Sequence, residues 1–226
     1  MIVEMSKAVQ GALRLDKKFD VIANHLANAG TAGYKAETLS FDGLFQAQMR
    51  IDMSQGSVQP TGNPLDLAIT GDGFFKVQTP NGDRYTRNGT FLLDKDNYLI
   101  TQEGYRVLGT NGPLNLEGTR VTVSENGDII VDGSQVGTLN IVTLADLGKL
   151  EKEDAGLLIY KGSLADEREP ERKSVQQNAI EQSNVSAVVE MAEMITTSRH
   201  FESFQKLIQT YDEMDAKAVS EVGLVR

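Results

Sequence analysis

The 226-residue chain has no cysteine and no tryptophan, five prolines, two histidines and 6% aromatic residues. Without cysteine there is no disulfide, no thiol nucleophile and no thiolate metal site. The length accommodates one large domain or two small ones, and the scarcity of aromatic side chains predicts a modest core. Basic residues are outnumbered by acidic ones, 22 against 32, for a net charge of −10. That excess opposes attraction to phosphate backbones and anionic lipid, so nucleic acid is not an expected partner. No run of about 20 apolar residues is present to span a membrane, and direct membrane insertion is not expected. The opening stretch MIVEMSKAVQGALRLDKKFD carries Glu4, Lys7, Arg14 and Asp16, which breaks any apolar run of signal-peptide length. The chain reads as a cytosolic soluble protein, unless it is exported by a route that uses no cleaved signal.

Enzyme signatures are equally scarce. His25 and His200 both fall in helical patterns, outside an HExxH pair or a serine-nucleophile motif. Gly71-Asp72-Gly73 is followed by Phe74, Phe75 and Lys76. It lacks the third glycine of a dinucleotide loop and the Lys-Ser/Thr of a P-loop, and reads as a turn into a strand. Asp94, Asp96 and Asn97 hint at a calcium loop, but Leu99 and Tyr105 stand where glycine and a bidentate glutamate are needed. A polar hairpin turn is the better reading. No carboxylate pair sits in a setting that would raise one pKa. No catalytic, cofactor-binding or metal-ligating residue is therefore assigned, and no small-molecule substrate is expected.

What the chain does have is an uneven distribution of glycine. Sixteen of its 21 glycines lie between Gly56 and Gly162, and residues 163 to 222 contain none. Glycine punctuates turns and weakens helices, so the middle should be strands and turns and the ends helical. Asn81-Gly82, Asn88-Gly89, Asn111-Gly112, Asn126-Gly127 and Asp132-Gly133 are hairpin signals. Between them the pattern predicts strands at 65–69, 74–78, 90–93, 98–101, 106–108, 121–124, 129–131 and 137–144, arranged as a small antiparallel barrel or sandwich. The polar stretch 163–174, with Pro170, reads as a linker out of this domain.

At the N-terminus, Met5, Ala8, Ala12, Leu15, Phe19, Ile22 and Leu26 alternate at spacings of three and four, the seam of a coiled coil. A helix over roughly residues 2 to 28 would be about 40 Å long, and the glycines at 30 and 33 end it. A second stripe, Val188, Met191, Ile195, Phe201, Phe204, Ile208 and Tyr211, predicts a helix over about 178–222 with a capped start near Ser183 and Asn184. These stripes admit two readings. The helices cover each other or the β domain within a monomer, or they form an intermolecular seam, because a long helix with a narrow apolar strip needs a helical partner. The fold class is α+β: long N- and C-terminal helices in a coiled-coil-like terminal domain and a β-rich central domain. The expected boundaries are 1–35, a connecting segment 36–60, β domain 61–165, polar linker 166–178 and C-terminal helix 179–226.

Three stretches carry a family resemblance. The first is Asn24 to Lys35, with Asn24, Asn28, Thr31, Gly33, Tyr34 and Lys35. The second runs through Gly62, Asn63, Leu65, Asp66, Gly71, Gly73, Phe74 and Phe75, then Tyr85, Thr86 and Arg87. The third is Glu181 to Ile195, with Asn184 and Val185. Together they resemble the bacterial flagellar rod and hook proteins. The resemblance implies a structural subunit of the basal-body rod, without cofactor, exported unfolded through the flagellar type III apparatus and assembled in the periplasmic space. It implies partners among other rod proteins and copies of the chain itself. Within the family it is nearer to proximal-rod than to distal-rod subunits, because 36–59 is shorter than the insertion expected of the latter. Its implied assembly interface is Leu15, Phe19, Ile22 and Leu26 against Val188, Met191, Ile195, Phe201 and Ile208. Asn24, Asn28 and Asn184 are expected to fix register at the helix ends. A monomeric β-domain binding module and an enzyme with an unrecognised carboxylate site are the rival classes.

Overall fold

The computed structural model describes residues 2–41, 47–153 and 156–223. The fold is α+β: two helices, α1 (Ile2–Ala27) and α2 (Ala187–Gly223), enclose in sequence a long run of short antiparallel strands. The chain divides into two compact units, one holding both helices and the other Asn28–Val185.

In the helical unit the two helices run antiparallel. His25 Nδ1 of α1 lies 3.0 Å from Glu190 Oε1 of α2, and Lys18 Nζ lies 2.9 Å from Glu193 Oε2. Further along, the ring of Phe204 stands over Gly11. Ala8, Val21, Ile22 and His25 are buried on α1, and Thr197 on α2. The positions of α2 withdrawn from solvent include Glu190, Met194, Thr197, Phe201, Phe204, Ile208 and Tyr211. They alternate at four and three residues, so one face stays aligned along the helix. The sequence stripe is therefore right in its second half and displaced in its first. Val188, Met191 and Ile195 are 78%, 56% and 56% exposed, and Met194 and Thr197 take the inward positions. Phe19, 40% exposed, also leaves the inner face of α1. Apolar count alone favoured the outer stripe, because the inner one carries a threonine and a glutamate.

The β unit is built around a ten-stranded antiparallel sheet. Its central strand, Phe74–Thr79, pairs with Gly82–Thr86, Arg106–Gly109 and Ile141–Leu144. Side chains alternate across a strand, and the sheet accordingly carries a cluster on each face. Phe75, Val77, Phe91, Leu99, Val107, Ile129, Leu139 and Ile141 form the larger. Phe74, Tyr85, Val142, Leu144, Leu150 and Leu158 form the smaller. A three-stranded sheet, Val121–Val123, Asp128–Val131 and Ser134–Thr138, lies beside it in sequence.

Four of the five Asn-Gly and Asp-Gly pairs close hairpins, at Gly82, Gly112, Gly127 and Asp132-Gly133. Asp132 and Gly133 both adopt positive φ, +50° and +88°, as a two-residue type I′ turn requires. Asn88-Gly89 closes none; there the backbone passes so near Leu67 that a Cβ on Gly89 would collide with the Leu67 carbonyl. The Asp94 to Asn97 stretch is a hairpin turn, its Oδ1 accepting from the amides of Asp96 and Tyr98.

The expected boundaries move. Residues 28–36 belong to the β unit, and the connecting segment 36–60 contains the hairpin Glu37–Phe41 with Ala47–Ile51 and the strand Val58–Pro60. The polar stretch is no linker. Ser163 caps a 3₁₀ turn, Glu167–Arg168 pairs with Thr143 and Leu144, and Val175–Gln177 pairs with Leu67–Ile69. Ala179–Glu181 then pairs with Val58–Pro60, so α2 begins at Ala187 rather than near 178. Edge strands need only alternate residues buried, so their polar composition disguises them.

Candidate functional site

The three motif stretches meet inside the β unit. Gly33, at φ +69°, carries the chain against the backbone of Arg87 and Asn88 so tightly that any Cβ would collide with it. Its amide donates to the carbonyl of Glu181 at 2.7 Å. Two residues on, Lys35 Nζ donates to Glu181 Oε1 at 2.6 Å and to the Ser54 carbonyl at 2.7 Å. Arg87 Nη1 donates to Glu181 Oε2 at 3.3 Å and Nη2 to the Gly71 carbonyl at 2.6 Å. The Gly56 amide donates to Glu181 Oε1 at 3.0 Å. Lys35, Arg87 and Glu181 are 3%, 5% and 1% exposed, so one buried carboxylate faces two buried cations.

Burial lowers the Lys35 ammonium below its ordinary range, and the hydrogen bond and charge of Glu181 oppose that shift. Burial lowers the Arg87 guanidinium too, opposed by Glu181 and Asp72. The guanidinium also stands 5.5 Å above the Phe74 ring, a cation–π contact. A carboxylate that accepts in this way from two cations and an amide holds chain segments together. Among the described residues, no group of three or more His, Asp or Glu side chains is placed to hold a metal ion.

Asn184 belongs to the same junction rather than to a helix end. Its Oδ1 accepts from the Ala36 amide at 2.7 Å, and its Nδ2 donates to the carbonyls of Asp52 and Ser54 at 3.0 and 3.2 Å. Asn28 Oδ1 accepts from the Thr31 hydroxyl at 3.3 Å, and Asn24 lies exposed on α1. The middle motif does local work. Asn63 Nδ2 donates to Asp66 at 2.9 Å, shaping the turn opened by Gly62 at φ +79°. Gly71 and Gly73 take φ +97° and +128° in the turn before Phe74. Thr86 Oγ1 accepts from the Asn88 amide at 3.0 Å. The Tyr85 hydroxyl donates to Glu167, which also holds Lys76 Nζ at 3.0 Å. Burial, then that hydrogen bond, push the Tyr85 phenol above its ordinary range. Leu65 packs at the margin of the larger cluster, and Val185 follows the Ser183 hydroxyl, which accepts its amide at 3.2 Å.

Sequence reasoning placed Lys35 and Arg87 in motifs but gave them no partner. Glu181, one acidic residue among 32, carries no local signal of burial, and 146 positions separate it from Lys35. Only the pairing of Ala179–Glu181 with Val58–Pro60 turns it inward.

The second candidate surface belongs to the helical unit. Among the proposed interface residues, Ile22 is buried and Leu15, Leu26, Phe201 and Ile208 are half-buried. Val188, Met191 and Ile195 form a stripe turned away from that inner face. No helix among the described residues is long and apolar enough to cross a membrane.

Known proteins match both units. The family model described as the flagellar hook protein FlgE/F/G D1 domain matches residues 68–131, and that of the flagellar basal body rod FlgEFG protein C-terminal matches 176–221. The chain is 32% identical to the flagellar basal-body rod protein FlgF of Caulobacter vibrioides, over 94% of this chain and 95% of that protein. It is 30% identical to the flagellar basal-body rod protein FlgG of Bacillus subtilis, over 95% and 97%. Against FlgF of Rhizobium meliloti the identity is 29%, over 96% of each. Matches of this extent span the helices, the sheet and the buried junction alike, and the chain belongs to the flagellar basal-body rod protein family.

Proposed function

We propose that the chain is a structural subunit of the proximal, FlgF-type part of the flagellar rod, assembling through its terminal helices with copies of itself and with other rod proteins. The observation that carries this reading is the outward stripe of Val188, Met191 and Ile195, left exposed while α2 already buries its opposite face against α1. Three large apolar side chains in a row on one helix face are stabilised by burial at about 25 cal/mol per Å² when a neighbour covers them. Such a heterologous contact, one surface of each subunit against a different surface of the next, repeats along a tube. Coiled-coil packing of the terminal helices, and a β unit closed as a barrel or sandwich, complete the reading. So do export through the flagellar type III apparatus without a cleaved signal and assembly in the periplasmic space.

The proximal assignment rests on the short stretch 36–59 and on the tail Phe201 to Asp215, whose Lys206, Ile208 and Asp212-Glu213 resemble proximal-rod endings, because identities to FlgF and FlgG relatives both stand near 30%. A distal FlgG-type subunit is the second reading, favoured by the B. subtilis match. The experiment is complementation of a deletion strain with wild type and with Met191→Glu/Ile195→Glu, followed by electron microscopy of purified basal bodies. The double variant should fold in isolation and be absent from the rod, and normal incorporation would overturn the interface. A deletion that interrupts the rod at its distal rather than its proximal segment would overturn the FlgF assignment.

A further inference from the structure

Lys35, Arg87 and Glu181 lie early, midway and late in the β unit, and the carboxylate of the last accepts from both of the others. We propose that they form a closing clasp: mutual repulsion of the buried cations Lys35 and Arg87 holds residues 33–36 off the β unit until strand Ala179–Glu181 brings the Glu181 carboxylate between them. The unit then completes only when both of its chain ends are in place. This inference stands on the geometry of the β unit alone and goes beyond the rod reading.

The contacts support this order of events. Apart from Glu181, the acceptors of Arg87 are the carbonyls of Ile69 and Gly71, at 3.3 and 2.6 Å, and that of Lys35 is the carbonyl of Ser54. Carbonyls solvate a cation but do not cancel its charge, and two unneutralised cations in a low-dielectric interior repel strongly. The other carboxylates that act on the pair are Asp52 toward Lys35 and Asp72 toward Arg87. Neither accepts a hydrogen bond from them, and both are exposed to solvent. Once Glu181 is in place it accepts from Lys35, Arg87 and Gly56 together, and its backbone carbonyl takes the Gly33 amide. Asn184, three residues on, then takes the Ala36 amide. A chain delivered from its N-terminus, by synthesis or by threading through a channel, supplies Glu181 last of the three.

Amide hydrogen exchange on the full chain tests the clasp, comparing wild type, Glu181→Gln and Lys35→Met/Glu181→Gln. Glutamine preserves the size and an acceptor oxygen but removes the charge. Protection of the Gly33, Ala36 and Asp52 amides should fall by about tenfold or more in Glu181→Gln, while that of strand Phe74–Thr79 holds. Trypsin should then cut after Lys35. Removing one of the two cations in Lys35→Met/Glu181→Gln should restore most of the lost protection. Undiminished protection in Glu181→Gln overturns the clasp, and so does a double variant at least as open as the single one, which would assign Glu181 a packing role. If Glu181→Gln unfolds the whole unit, the same comparison is read on strand Phe74–Thr79: recovery in the double variant supports the clasp and no recovery overturns it.

Discussion

The ring of Phe204 on α2 lies directly over Gly11 of α1, where an added Cβ would stand 2.6 Å from Cε1 and 2.7 Å from Cζ. A glycine in mid-helix costs about 1 kcal/mol relative to alanine, and here its missing side chain makes room for an aromatic ring. Gly11→Ala should be nearly neutral, the gain in helix propensity offsetting a small ring displacement. Gly11→Leu should destabilise the helix pair by about 1–3 kcal/mol through overpacking. Thermal melts followed by far-UV circular dichroism check this, and equal melting of the leucine variant and wild type would refute the close approach.

Gly89 fills a different role from the hairpin glycines. A Cβ at this position would run into the Leu67 carbonyl oxygen, an atom of rigid backbone, and the Leu67 amide itself donates to the Gly89 carbonyl at 3.0 Å. Gly89→Ala should lower β-unit stability by about 2–3 kcal/mol, because backbone must move. The urea midpoint of the β unit should fall accordingly; an unchanged midpoint would contradict the packing.

Phe75 and Phe91 meet edge to face, centroids 5.1 Å apart and planes at 86°, with both side chains buried. Phe75→Ala should cost about 3–5 kcal/mol, the sum of lost transfer energy and a cavity. Leu92→Ala, at an exposed neighbouring position, should stay within about 0.5 kcal/mol. Chemical denaturation of both variants tests the contrast, and similar losses at the two positions would place the core elsewhere.

Asp132 supplies the pH dependence. Its carboxylate accepts from the amides of Thr119 and Arg120, both at 3.0 Å, which holds its pKa below the ordinary 3.8. A depressed folded pKa means that the unfolded chain binds the proton more tightly, so stability decreases as pH is lowered in that range. The contribution is complete above the unfolded pKa and disappears as pH drops through the lower folded value. Asp132→Asn keeps the left-handed turn residue and should flatten the acid limb of the stability profile below about pH 4. An acid limb identical to wild type would show that the two amides do not stabilise the charged form.

The two helices and most strands from Phe74 to Leu144 were legible in the sequence because their signals are local. Apolar spacing of three and four marks α1, and Asn-Gly or Asp-Gly pairs with positive φ mark the turns at Gly82, Gly112, Gly127 and Gly133. The strands after residue 150 were not legible. Leu150–Lys152, Glu167–Arg168 and Val175–Gln177 are three residues or fewer and partly polar, and Val175–Gln177 takes its register from Leu67–Ile69, far away in the chain.

By itself the sequence determined the α+β class, the glycine-rich middle, the absence of thiol chemistry and the three motif stretches that mark the family, since each is written in residue type and short spacing. Tertiary structure alone decided which face of α2 turns inward and which three charges share one buried site. An apolar stripe specifies that a face wants cover but not what covers it; Thr197 is buried on α2, and Glu190 meets the buried His25 of α1. The charges of Lys35, Arg87 and Glu181 are likewise ordinary in composition. Burial beside one another, brought about by strand pairing at the end of the chain, makes them the junction of the fold.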